Sequence, residues 1–136
     1  MATRARVHIA RREEGVSFSE IPEKVIVSIY HHFDGYPEGL GVTLASYLDD
    51  FVITNGLGRD NTHVFNGLGC MAASIIEYLK DGPGNVYIED PERPHTWIDY
   101  DYYVWGDDYK DIWISIFDGP ECIFVGKPRD LLKKYY

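Results

Sequence analysis

The sequence predicts an α+β domain: an antiparallel β-sheet with two main helices packed on one face and a short C-terminal helix. Three observations carry that prediction. Runs with two-residue apolar alternation occupy both ends of the chain, and two runs with apolar residues at helical spacing occupy its middle. Clusters of Asp, Gly and Pro separate them. The 136 residues suit one domain over 1–136, and 45% hydrophobic with 26% charged residues excludes a disordered chain or a coiled coil.

The first strand is expected over residues 5–10, where Val7 and Ile9 alternate with Arg6 and His8. Residues 11–23 are polar and contain Gly15 and Pro22, so they read as a loop with a short strand at 16–18. Residues 24–32 are β-branched enough for a central strand. The turn-rich run Asp34-Gly35-Tyr36-Pro37-Glu38-Gly39 leads into a helix over 37–50, with Leu40, Leu44, Tyr47, Leu48 and Phe51 on one side. Gly and Asn make 54–65 a loop. A second helix follows over 68–80, turned inward through Leu68, Met71, Ala72, Ile75, Ile76 and Leu79 and stopped by Asp81-Gly82-Pro83. The last third reads as a strand meander at 86–89, 97–105, 112–117 and 122–125, closed by a short helix over 128–136.

The formal charge is −9, from 22 acids against 13 bases, which argues against nucleic acid and against an anionic membrane surface. The charge is uneven. Residues 1–12 hold four arginines and no acid, whereas residues 89–111 hold eight acids against Arg93 and Lys110, a local −6. A basic partner, or the basic N-terminus of another copy in a homo-oligomer, complements that segment. Cys70 and Cys122 show no zinc-ligand spacing and read as free, buried thiols of a reducing cytosol. No run approaches 18 apolar residues, so a soluble, cytoplasmic protein is expected.

Three sets of residues can carry a function. Trp97, Asp99, Asp101, Tyr103, Trp105 and Asp107 combine hot-spot aromatics with steering acids and make a candidate surface for a partner protein; a solvated strand face is the structural alternative. Arg4, His32, Asp34, Tyr36, Gly39, Gly41, Asn66 and Gly67 gather backbone N–H groups at two glycine-rich helix starts with a cation, a candidate pocket for a small anionic ligand such as a nucleotide; close helix–sheet packing explains the glycines equally well. Finally, His32 with Asp34 or Glu38 can make a hydrolytic acid–base pair. His31 and His32 point to opposite faces of a strand, so no metal is expected, and no cofactor either. The serines, Ser28 among them, lack a GxSxG elbow.

Thr3-Arg4, the block YHHFDGYPEGLG over 30–41, NGLGCMAA over 66–73, YVWGD over 103–107, FDG over 117–119 and FVGKPRDL over 124–131 resemble a family of small proteins from bacteriophages, prophages and bacteria. Members typically open Met-Gly-Thr-Arg and carry a tyrosine-arginine-glutamine-phenylalanine-aspartate-glycine-tyrosine-proline block. This chain has Ala2 and His31-His32 where glycine and arginine-glutamine are usual. The resemblance supplies no catalytic residues. It implies a phage-associated accessory protein in the host cytoplasm that binds, without catalysis, a host protein, as a counter-defence inhibitor does, or that sequesters a signalling molecule.

Overall fold

A computed structural model describes residues 2–55, 63–106 and 111–136. The chain folds as an α+β unit in the order β1 (Ala5–Arg11), β2 (Val25–His31), a π-helical turn (Pro37–Gly41), α1 (Val42–Leu48), β3 (Val52–Thr54), β4 (Val64–Asn66), α2 (Gly67–Leu79), β5 (Val86–Ile88), β6 (Tyr100–Gly106), β7 (Trp113–Asp118), β8 (Glu121–Gly126) and α3 (Pro128–Tyr135). Six strands form one sheet in the order β5-β2-β1-β6-β7-β8, and β3 and β4 form a small parallel pair.

Four of the six-stranded sheet's five pairings are antiparallel, as expected; the exception is its centre, where β1 and β6 run parallel from Ala5 opposite Tyr100 to Arg11 opposite Gly106. A parallel neighbour needs a long crossover. Both helices of the chain's middle lie within that crossover, so one topological feature explains why they share a face of the sheet.

Alternation divides each strand between two environments. Val7, Ile9, Ile29, Tyr102, Val104, Ile114, Ile116 and Phe124 turn to the helices, where they meet Leu44, Leu48, Met71, Ile75 and Leu131 in the main core. The opposite face carries a smaller cluster of Ala10, Tyr103, Trp105 and Phe117. The loop after β1 covers it: Phe18 stacks on Trp113 at 4.6 Å and meets Trp105 edge-on at 5.5 Å. The Ser115 hydroxyl fixes that loop by donating to the Phe18 carbonyl, and itself accepts from Trp105 Nε1 at 2.9 Å.

Several boundaries differ from the sequence expectation. Residues 16–18 form no strand, because Phe18 is used as a side-chain plug over Trp105. The first predicted helix begins as the π-helical turn and reaches only Leu48. The expected loop of 54–65 is flanked by β3 and β4, three residues each. Its centre lies outside the described residues. Cys70 faces outward on α2 rather than inward, while Cys122 is half-buried, and both thiols are free. No helix among the described residues is long and apolar enough to cross a membrane.

Candidate functional site: a polar groove on the open face of the sheet

The helix-free face is polar at its β5-β2-β1 end. Arg6 and His8 project there from β1, Ser28 and Tyr30 from β2, and Asp101 and Tyr103 from β6, because His8 lies opposite both Ser28 and Tyr103, and Arg6 opposite both Tyr30 and Asp101. The segment after β5 folds over this end. Glu89 is bound by Arg6 Nε at 2.7 Å and by the backbone N–H and Nδ1 of His95 at 2.9 Å each, and Arg6 Nη2 donates to the His95 carbonyl. The His95 ring stacks on Tyr30 with centroids 3.6 Å apart. Burial would raise the Glu89 carboxyl, but the Arg6 and His95 bonds outweigh it and hold its pKa below the ordinary glutamate value.

Beside this pair lies a groove of about 610 Å³, walled by Arg6 and His8 of β1, residues 25–28 of β2, and Glu89, Pro91 and Pro94. It is broadly open to solvent, and four of its nine lining residues, Arg6, His8, Ser28 and Glu89, are polar. β2 is bulged here, since Ile9 pairs with Val27 but Ala10 with Val25, and bulges commonly adjoin binding sites.

A hydrogen-bonded line of three residues runs from the groove, at Ser28 and His8, to Asp101 of β6. His8 Nδ1 lies 2.6 Å from Ser28 Oγ and Nε2 lies 2.8 Å from Asp101 Oδ1. An ionised carboxylate only accepts, so Asp101 sets the Nε2–H tautomer and leaves the Nδ1 lone pair to the Ser28 hydroxyl. The imidazole is held flat against Tyr103, centroids 4.6 Å apart. Burial, with Asp101 beside it, pushes the Tyr103 hydroxyl up to about 12, so it stays neutral. The side chains of His8 and Asp101 are 12% and 27% exposed, within reach of a ligand but shielded from bulk water.

The residues expected to meet a partner protein are not one surface. Trp97 is 83% exposed and has a left-handed backbone. Asp99 accepts from the Arg4 backbone N–H at 2.9 Å, and Asp101 belongs to the hydrogen-bonded line with His8. Tyr103 is buried under His8 and Trp105 is fully buried under Phe18, which corrects the expectation that they contact a partner; Asp107 lies outside the described residues. Part of the acidic segment is met within the chain, by Arg6, His8 and the Arg4 backbone.

The expected ligand residues are likewise dispersed. Gly41 is buried close to Tyr102 and Leu131, and Gly39 lies against Tyr36 and the Asp34 carbonyl, so both serve packing. Asn66 and Gly67 begin α2, with Gly67 at φ +80°. His32 Nδ1 bonds the Tyr30 hydroxyl at 2.7 Å, whereas the Asp34 carboxylate takes the Tyr36 hydroxyl at 3.4 Å and Glu38 is exposed on the π-helical turn. The expected His32–Asp34 pair is therefore engaged elsewhere on both sides.

Sequence reasoning did not bring Ser28, His8, Arg6 and Glu89 together as one site. The signal was a lone Ser inside the run Val25-Ile26-Val27-Ser28-Ile29 and the shared parity of Arg6 and His8; only the parallel β1–β6 register, invisible locally, brings Asp101 to them. No protein-family model, curated protein or solved structure matches the chain.

Proposed function

We propose that this chain is a small-molecule binding protein whose ligand sits in the groove between β1, β2 and the 89–94 segment. The observation that carries this reading is the groove itself, where the Ser28 hydroxyl and the His8 ring meet walls of Val25, Ile26, Pro91 and Pro94. Glu89 offsets the Arg6 guanidinium, so the site favours a ligand with an apolar body and a hydrogen-bonding group over one recognised by negative charge alone. Sequestration of a host metabolite or signal by a phage-associated protein agrees with the family resemblance.

The test is ligand-observed NMR with a library of small heterocyclic and acyl fragments, followed by amide mapping. Binding fragments are expected to shift Arg6, His8, Ser28 and Glu89. Shifts centred on Gly39 and Gly67, or no binding by any fragment, would reject the groove.

A second reading has its own observation. Trp97 is 83% exposed, two residues before Asp99 in the chain. A host protein docking there would use Trp97 as its anchor. Trp97→Ala would then weaken capture of that protein while leaving fragment shifts at Ser28 unchanged.

A further inference from the structure

We propose that Ser28 is a nucleophile that cleaves carboxylic esters bound in the groove, with His8 as its base and Asp101 as the residue that positions His8. The inference rests on the groove being a ligand site and adds a reaction to it. Its geometry is independent of any ligand: Ser28 Oγ, His8 and Asp101 form one continuous hydrogen-bonded line through contacts of 2.6 and 2.8 Å. Nucleophile, base and orienting acid within bonding distance of one another are the recurring signature of acyl transfer. The ring nitrogens are exchanged relative to the usual serine triad. The chemistry is not altered, because either imidazole nitrogen serves as base once the other carries the proton.

Three features distinguish this line from an ordinary polar ladder on a sheet. Ser28 and His8 both open onto the groove rather than into a closed core. The His8 ring is fixed from below by Tyr103, so its lone pair keeps its aim at Ser28. The neighbouring apolar wall of Val25, Ile26, Pro91 and Pro94 suits a short acyl chain.

The reaction balances without a cofactor. Ser28 Oγ attacks the ester carbonyl carbon as its proton passes to His8 Nδ1, and the carbonyl electron pair moves onto the carbonyl oxygen. Collapse of this intermediate breaks the bond to the leaving alcohol, which takes the proton from His8 and departs, leaving acyl-Ser28. Water then gives a proton to His8 and attacks the acyl carbon; release of the carboxylic acid returns the proton to Ser28.

The experiment is incubation of the folded chain with an alkyl fluorophosphonate, followed by intact-mass analysis and peptide mapping. Attack by Ser28 on phosphorus expels fluoride and leaves a stable adduct. One adduct at Ser28 is expected, with Ser28→Ala unlabelled and His8→Asn slowed by about 100-fold or more. Asp101→Asn is expected to lower the labelling rate by about 10-fold or more with fragment shifts at Ser28 unchanged, and Asp101→Glu, which keeps an acceptor for His8 Nε2, to restore part of it. A purely structural Asp101 would leave the labelling rate of the folded variants unchanged. The parent chain should also hydrolyse p-nitrophenyl butyrate faster than Ser28→Ala. Absence of an adduct on the folded parent, or equal labelling of Ser28→Ala, overturns the proposal. If fragments still shift the groove amides when no adduct forms, the binding site stands and only the reaction fails; if neither is seen, both fail.

Discussion

The Tyr102 hydroxyl donates to the Gly35 carbonyl at 2.7 Å, joining the central strand β6 to the turn that leaves β2. Tyr102 is fully buried, and its pKa is driven well above the ordinary tyrosine value, chiefly by burial. The same turn is tied to the N-terminus through the Gly35 N–H and the Thr3 carbonyl at 2.9 Å, and closed by Leu40 N–H to the Asp34 carbonyl. The DGYPEG block is thus a fastening between sheet and helix layer.

Tyr102→Phe leaves the Gly35 carbonyl buried without its donor. A loss of about 1–2 kcal/mol is expected, read as a lower urea midpoint at unchanged m-value. An unchanged midpoint would mean that the hydroxyl contributes nothing to the fastening.

Gly35 and Gly69 should respond oppositely to alanine. A Cβ at Gly35 would lie 2.7 Å from the Ala5 Cβ and 2.9 Å from the Thr3 carbonyl oxygen, so β1 or the turn must move. At Gly69, on the exposed side of α2, a Cβ meets nothing within 4 Å. Gly35→Ala is expected to destabilise strongly, whereas Gly69→Ala gains about 0.5–1 kcal/mol from helix propensity. Thermal melts of the two variants decide it, and a shift in the same direction for both would be wrong for this geometry.

These contacts mark what the sequence made legible. Helix α2 was readable because Leu68, Met71, Ala72 and Ile75 keep a 3.6-residue period and Gly82-Pro83 stops it; the meander was readable from the alternation of Ile114 and Ile116. The parallel β1–β6 pairing was not, since Ala5 and Tyr100 are 95 residues apart and nothing local encodes their register. The groove inherits that limit. His8, Ser28 and Asp101 come from three strands, so no spacing in the chain announces them, whereas the dense Tyr30–Gly41 block attracts attention yet acts chiefly as a turn. Trp105 and Tyr103 looked like contact residues because alternation shows which strand face a residue takes, but not that Phe18 or His8 covers that face.

Phe18 makes the loop after β1 a lid on the second cluster. Phe18→Ala removes the ring between Trp105 and Trp113 and the cation–π contact of Arg12 at 4.8 Å. About 2 kcal/mol of destabilisation is expected for a partly buried phenylalanine, together with a red-shifted, more acrylamide-accessible tryptophan emission. Emission as shielded as in the parent would show that Phe18 does not seal Trp105.

His31 gives the fold an acid-sensitive point. It is 8% exposed, its Nδ1 has no hydrogen-bond partner among the described residues, and burial lowers its pKa below the ordinary histidine value. The unfolded chain therefore takes up this proton first, so stability falls as pH drops below about 6.5 towards the depressed folded value. In His31→Gln that part of the decline should vanish, seen as melting curves that converge with or overtake the parent between pH 7 and 5. Parallel declines would remove His31 as the cause.

Glu89 acts at lower pH and with a different signature. Its folded pKa is depressed, so its contribution is complete above the unfolded glutamate pKa of about 4.3 and is lost as pH falls through the folded value. Glu89→Gln strips Arg6 and His95 of their charged acceptor in a place where Glu89 is only 7% exposed. At pH 7 a loss of about 2 kcal/mol is expected for charge-assisted hydrogen bonds. The gap between parent and variant should then narrow towards pH 2, because the parent's own carboxyl becomes neutral. The same variant should loosen the 89–95 segment over the groove, so hydrogen exchange at the Glu89 amide, bonded to the Ser28 carbonyl at 2.8 Å, should quicken. A pH-independent gap with unchanged exchange would mean that the ion pair neither stabilises the fold nor holds the groove wall.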